Sequence, residues 1–110
     1  MNRDEIKQER DYKAVIVYDN GDVLQCHIEN FLPNGPGRKI YKDLGVYEGE
    51  FADGKEEGNA KYTAPDGRIY MGLYKDGKQE GMGEEIWPNN DRFTGEYKNG
   101  VKEGNGILSK

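Results

Sequence analysis

The stretch Tyr47-Glu48-Gly49-Glu50-Phe51-Ala52-Asp53-Gly54 decides the fold, because it returns twice at an interval of 23 residues. It comes back as Tyr70-Met71-Gly72-Leu73-Tyr74-Lys75-Asp76-Gly77 and as Phe93-Thr94-Gly95-Glu96-Tyr97-Lys98-Asn99-Gly100. A fixed interval of this size marks a repeat architecture, in which each unit buries its apolar face against its neighbours.

With the leading aromatic of each copy taken as position 0, fifteen of the 16 glycines fall on five phases, +2, +7, +11, +13 and +20. Random placement would put about three to four of them there. Aromatic residues keep the same phase: Tyr47, Tyr70 and Phe93 at 0, Phe51, Tyr74 and Tyr97 at +4, and Tyr18, Tyr41 and Trp87 at +17. One step back, Leu24 stands at 0, with Gly35 at +11 and Gly37 at +13. One array therefore runs from about Tyr12 to Lys110.

Each copy carries Asp-Gly or Asn-Gly at +6 and +7, the strongest short-range signal for a two-residue type I′ hairpin. A second turn is expected at +19 and +20, in Asn20-Gly21, Asp66-Gly67 and Asn89-Asn90, with Pro65 and Pro88 closing the preceding strand. The expected fold is all-β, an elongated single antiparallel meander sheet of stacked β-hairpins, with a short polar helix within residues 2–11. A regular hairpin centred between +6 and +7 would set +4 opposite +9, +2 opposite +11 and 0 opposite +13. Alternation then puts the aromatics at 0 and +4 on the same face as the small residues, whose flat backbone offers a seat for the rings.

The patterns YxGxFxxGxxxGxA at Tyr47 to Ala60, YxGxYxxGxxxGxG at Tyr70 to Gly83 and FxGxYxxGxxxGxG at Phe93 to Gly106 resemble MORN repeats. The chain divides accordingly into a polar segment 1–11, divergent or capping repeats 12–46, and repeats 47–69, 70–92 and a partial 93–110. In the Leu24 copy, Cys26, Ile28 and Phe31 replace the +2 glycine, the +4 aromatic and the +7 glycine. Such repeats accompany junctophilins at membrane contact sites, plant phosphoinositide kinases, protist cytoskeletal scaffolds and certain histone lysine methyltransferases. The resemblance implies attachment, to a membrane or to proteins, including self-association.

Composition sets the bounds on function. With 110 residues and a net charge of -5, the chain has room for one modest core and repels nucleic-acid backbones and anionic lipid in the absence of a basic patch. A nucleic-acid partner is not expected, and a peripheral membrane or phosphoinositide-binding module is the alternative, disfavoured by the net charge. Cys26 is the only cysteine, so no intrachain disulfide can form, and no apolar run marks a signal or a membrane span. An intracellular, cytoplasmic location is the natural expectation.

Function is expected on the face opposite the aromatics, where the copies differ. The central repeat presents Met71, Leu73, Glu80 and Met82 there, with Met71 expected to face Met82. The flanking repeats present Glu50 expected opposite Glu57, and Glu96 expected opposite Glu103. An apolar patch with an acidic border suits a protein partner carrying apolar and basic side chains. The alternative cover for that patch is the N-terminal segment or a second copy, and a homodimer through exposed strand edges is a further expectation.

No cofactor or metal is expected, and neither is catalysis. Cys26 and His27 are sequence neighbours on a strand, so their side chains diverge. The Asp-Gly pairs lack the ligand pattern of a calcium loop, and the glycines lack the Lys-Ser or Lys-Thr of a phosphate-cradling loop. The carboxylates read as solvating surface groups.

Overall fold

The computed structural model describes residues 12–110, so the expected helix in residues 2–11 lies outside the described residues. Among the described residues, eleven strands follow one another: β1 Ala14–Val17, β2 Val23–Cys26, β3 Ile28–Glu29, β4 Leu32–Pro33, β5 Gly35–Tyr41, β6 Gly45–Ala52, β7 Lys55–Thr63, β8 Ile69–Lys75, β9 Lys78–Ile86, β10 Arg92–Lys98 and β11 Val101–Ser109. Nine of them form one antiparallel sheet in the order β1-β2-β5-β6-β7-β8-β9-β10-β11, and β3 and β4 make a small hairpin of their own. The chain is the expected meander. Its extents are 40 × 33 × 24 Å.

The first turn of each repeat has both central residues in the left-handed region: Asp53 and Gly54 at φ 48 and 87, Asp76 and Gly77 at 50 and 85, Asn99 and Gly100 at 52 and 86. That is the type I′ geometry whose twist matches the flanking strands. In the Leu24 copy the same turn is made by Asn30 and Phe31 at φ 54 and 68. The second turn is a three-residue loop. At Ala64, the backbone N–H donates to Arg68 O at 2.8 Å while Gly67 N–H returns to Ala64 O at 3.0 Å. Asp66 Oδ1 accepts from the Arg68 N–H at 2.9 Å, and Asn20 and Asn89 do the same for Asp22 and Asp91 at 2.9 and 3.0 Å. Short side-chain acceptors fix these loops because they bond their own backbone two residues on.

The register departs from the regular hairpin after its first rungs. Phe51 faces Glu56 as expected, yet Gly49 faces Ala60 and Tyr47 faces Tyr62, so the second strand carries two extra residues between these rungs. The central copy repeats the step, with Tyr74 opposite Gln79 but Gly72 opposite Gly83 and Tyr70 opposite Glu85. The +11 glycine makes the bulge: Gly58, Gly81 and Gly104 have φ of 84, 78 and 68. Adding two residues restores the face of every side chain while sliding its partner, so the faces expected from alternation survive and the expected cross-strand partners do not.

The bulge explains the hydroxyl at position 0. Tyr47 Oη donates to Glu50 O at 2.6 Å and Tyr70 Oη to Leu73 O at 3.0 Å, each reaching the residue left without a rung where the register steps. Phe93 has no hydroxyl to donate, and in its copy the step falls between Thr94 and Glu96.

Aromatic rings supply the core that aliphatic residues cannot. Phe51, Tyr47, Tyr74, Tyr70, Tyr97 and Phe93 meet edge to face in that order, with centroids 5.1, 5.0, 5.5, 5.0 and 6.3 Å apart. Each ring at position 0 thus contacts the +4 ring of its own copy, and in two cases that of the next. Leu24 and Cys26 extend the buried cluster toward the divergent end. The seats of these rings are glycines: a Cβ built on Gly83 would lie 2.5 Å from the Tyr70 ring, and one on Gly106 would lie 2.2 Å from Phe93. Edge-to-face pairs add ~0.5–1.5 kcal/mol each beyond the burial of their area, so the row stabilises several repeats together.

Candidate interaction faces

Consecutive repeats are joined at their hairpin tips. Gly54 N–H donates to Pro33 O at 2.9 Å, Gly77 N–H to Glu56 O at 3.0 Å and Gly100 N–H to Gln79 O at 3.0 Å. Beside each of these, the +6 N–H meets the +10 side chain of the preceding copy: Asp53 to Asn34 Oδ1 at 3.0 Å, Asp76 to Glu57 Oε2 at 2.9 Å and Asn99 to Glu80 Oε1 at 3.3 Å. Glu57 and Glu80, expected on the partner face, are therefore stacking residues. Glu103 holds the same position in the last copy. This relay also shows that the divergent Leu24 copy uses the repeat geometry, with Asn34 in place of glutamate.

The opposite face does carry the expected apolar group. Met71, Leu73 and Met82 are 47, 42 and 55% exposed, well above a packed core residue. Their neighbours differ from expectation because of the bulge. Met71 faces Lys61 on β7 and Glu84 on β9, and Met82 faces Glu96 on β10. Leu73 faces Asn59, and its Cδ1 lies 3.6 Å from where a Cβ on Gly81 would stand. Glu96 does oppose Glu103, whereas Glu50 falls in the step and has no rung with Glu57. Ile107, 70% exposed, joins Met82, Glu96 and Glu103 around a shallow cavity of about 410 Å³. It occupies +14, which the regular register gave no reason to single out. The border is of mixed sign, since Lys61 flanks Met71 on one side and the Arg92–Glu84 pair, 3.1 Å apart, flanks it on the other.

The aromatic face holds a feature that composition concealed. Glu85 is 8% exposed, which corrects the reading of the carboxylates as solvating groups. Its Oε1 accepts from Tyr97 Oη at 2.7 Å and from Lys102 Nζ at 3.0 Å, and its Oε2 has Arg68 Nη1 at 3.9 Å. Burial and then the Glu85 charge push the Tyr70 phenol up to about 12, and burial with the Glu85 hydrogen bond raises Tyr97 as well. Lys102 lies over the rings of Phe93, Trp87 and Tyr97, with centroids at 5.3, 5.8 and 6.0 Å. Elsewhere on this face, the Tyr41 hydroxyl donates to Glu56 and the Tyr62 hydroxyl to Leu44 O.

Cys26 is fully buried and its thiol is raised by that burial, while the His27 ring meets Tyr12 at a tilt of 59°, with centroids 5.7 Å apart. A thiol pushed toward its neutral form is the reverse of an activated nucleophile. Among the described residues, no group of three or more His, Cys, Asp or Glu side chains is placed to hold a metal ion, and no helix is long and apolar enough to cross a membrane.

A sheet built from 23-residue double-turn units, with rings seated on glycines and tips joined by hydrogen bonds that recur from copy to copy, defines a stacked β-hairpin repeat protein. The MORN repeat family matches residues 47–67, 70–92 and 93–110, more than half of the chain, and the chain belongs to that family. MORN repeats are generally modules that attach to proteins or membranes and are generally non-catalytic. No curated protein matches the chain.

Proposed function

We propose that this chain is a non-catalytic protein-interaction or scaffold module of the cell interior, whose partner docks on the face carrying Met71, Leu73, Met82 and Ile107. The observation that carries the reading is the exposure of Met71, Leu73 and Met82, 47, 42 and 55%, where the neighbouring copies place Glu48, Glu50, Thr94 and Glu96. Methionines adapt to irregular apolar surfaces, and two of them with a leucine left at the surface cost solvation that a partner would recover. Glu96 opposite Glu103 adds a like-charge pair whose repulsion a basic side chain of the partner would relieve.

The test is the double substitution Met71→Glu with Leu73→Glu, followed by light scattering for self-association and by capture of interacting proteins. Loss of a captured protein supports a heterologous partner, and loss of self-association assigns the face to a homodimer. If neither changes, the face is not the binding surface. Sedimentation with anionic liposomes separates the membrane reading, for which strong, salt-sensitive binding is required.

A further inference from the structure

Position +15 lies opposite the leading ring of each copy, and it is Tyr62, Glu85 and Leu108 in turn. Nothing in the repeat requires a charge there. Yet the central copy buries a carboxylate among tyrosines and surrounds it with Arg68 and Lys102, whose side chains remain 45 and 44% exposed. The Arg68 contact at 3.9 Å is too long for a hydrogen bond, and Glu85 Oε2 is buried without one. The guanidinium fork is therefore held near the carboxylate but not engaged by it. These three groups, with Tyr62, Tyr70 and Gln79, line a cavity of about 420 Å³ open to solvent.

We infer that this cavity binds a monoanionic carboxylate on a short apolar stem, of the kind presented by a glutamate side chain of an acidic peptide or by a free small acid. Arg68 supplies the planar fork that matches a carboxylate, and Lys102 supplies a second charge locked over three rings. Glu85 bonds Lys102 at 3.0 Å, draws Arg68 to 3.9 Å and cancels one of the two positive charges, so the cluster carries one net positive charge. A single carboxylate neutralises it. A phosphate dianion would set a surplus negative charge against the buried Glu85. The tyrosine rings pack against the stem. Glu85 is thus a positioning residue, and Arg68 and Lys102 are the contacts.

Calorimetric or NMR titration of the full chain at about pH 8, where inorganic phosphate is mainly the dianion, and at constant ionic strength, with N-acetylglutamate amide, butyrate and inorganic phosphate, tests the inference. Both carboxylates are expected to saturate the site, with phosphate at least about tenfold weaker. Tighter binding of the blocked glutamate than of butyrate assigns the site to peptides, and the reverse assigns it to free acids. Arg68→Gln and Lys102→Met should each weaken carboxylate binding about tenfold, and Arg68→Lys, which keeps the charge without the fork, by less. Glu85→Gln should bring phosphate up to the level of the carboxylates. Because Arg68 is exposed, its two variants keep the test readable if Lys102→Met or Glu85→Gln unfolds. Carboxylates that fail to saturate, that bind no better than phosphate, or whose binding ignores both Arg68 variants would overturn it.

Discussion

The backbone N–H of Asp76 donates to the carboxylate of Glu57, 19 residues behind it, at 2.9 Å, tying the tip of one hairpin to the preceding repeat. Asn34 makes the equivalent bond to Asp53 and Glu80 to Asn99, so one side-chain position carries the junction along the array.

Removing that acceptor should loosen the stack without altering a single repeat. Glu57→Ala is expected to lower stability by about 0.5–1.5 kcal/mol in urea unfolding, and Glu57→Gln, which keeps an acceptor oxygen, by less. Equal losses for the two would show that the carboxylate acts through charge and not through the tip bond.

The ring seats give a sharper test. Gly83→Ala places a methyl group 2.5 Å from the Tyr70 ring and should cost about 1–3 kcal/mol, read as a fall in thermal midpoint. Gly81→Ala has only Leu73 at 3.6 Å, so its cost should come from the left-handed backbone, φ 78. The two mechanisms separate on adding Tyr70→Ala: it should rescue the Gly83 variant relative to its own background and leave the Gly81 variant unrescued.

Tyr70 itself combines packing and a hydroxyl bond. Tyr70→Phe removes only the donor to Leu73 O and is expected to cost about 1 kcal/mol, whereas Tyr70→Ala also empties the centre of the ring row and should cost about 3–5 kcal/mol. Similar losses for both would mean that the bulge bond, and not the row, dominates.

Alkali should unfold the protein through its tyrosines. Tyr70 has its phenol raised from 10.0 to about 12 in the folded chain, first by burial and then by the charge of Glu85. A folded value above the unfolded one makes the contribution to stability complete below pH 10 and lost as pH rises through 12. Phenolate absorbance and circular dichroism should therefore change together across that window. Buried tyrosines that ionise at about 10 before any loss of structure would contradict the packing of the ring row.

Much of this architecture was legible in residue spacing. The Asp-Gly and Asn-Gly pairs announced type I′ turns because few other residues tolerate two successive left-handed conformations, and the dihedral angles at Asp76 and Gly77 have that form. Alternation then placed Tyr70 and Tyr74 on one face and Met71 and Leu73 on the other. The cross-strand partners were less accessible. Gly81 reads in sequence as another small residue on the ring face, and only its left-handed φ of 78 reveals a bulge. That bulge moves Met71 from Met82 to Glu84 and brings Glu85 opposite Tyr70.

What the sequence determined by itself is the repeat: its length, its turns, its two faces and the identity of the rings that form the core. These depend on local backbone preferences and on period, which neighbouring residues encode. The tertiary structure alone decided which glutamates are structural and which are free. Glu57 and Glu80 bond to the next hairpin, and Glu85 is closed in by Arg68 and by Tyr97 and Lys102 of the next repeat. A carboxylate carries no mark of its neighbours in the chain when the groups that partner it stand 12 to 19 residues away and are brought near only by stacking.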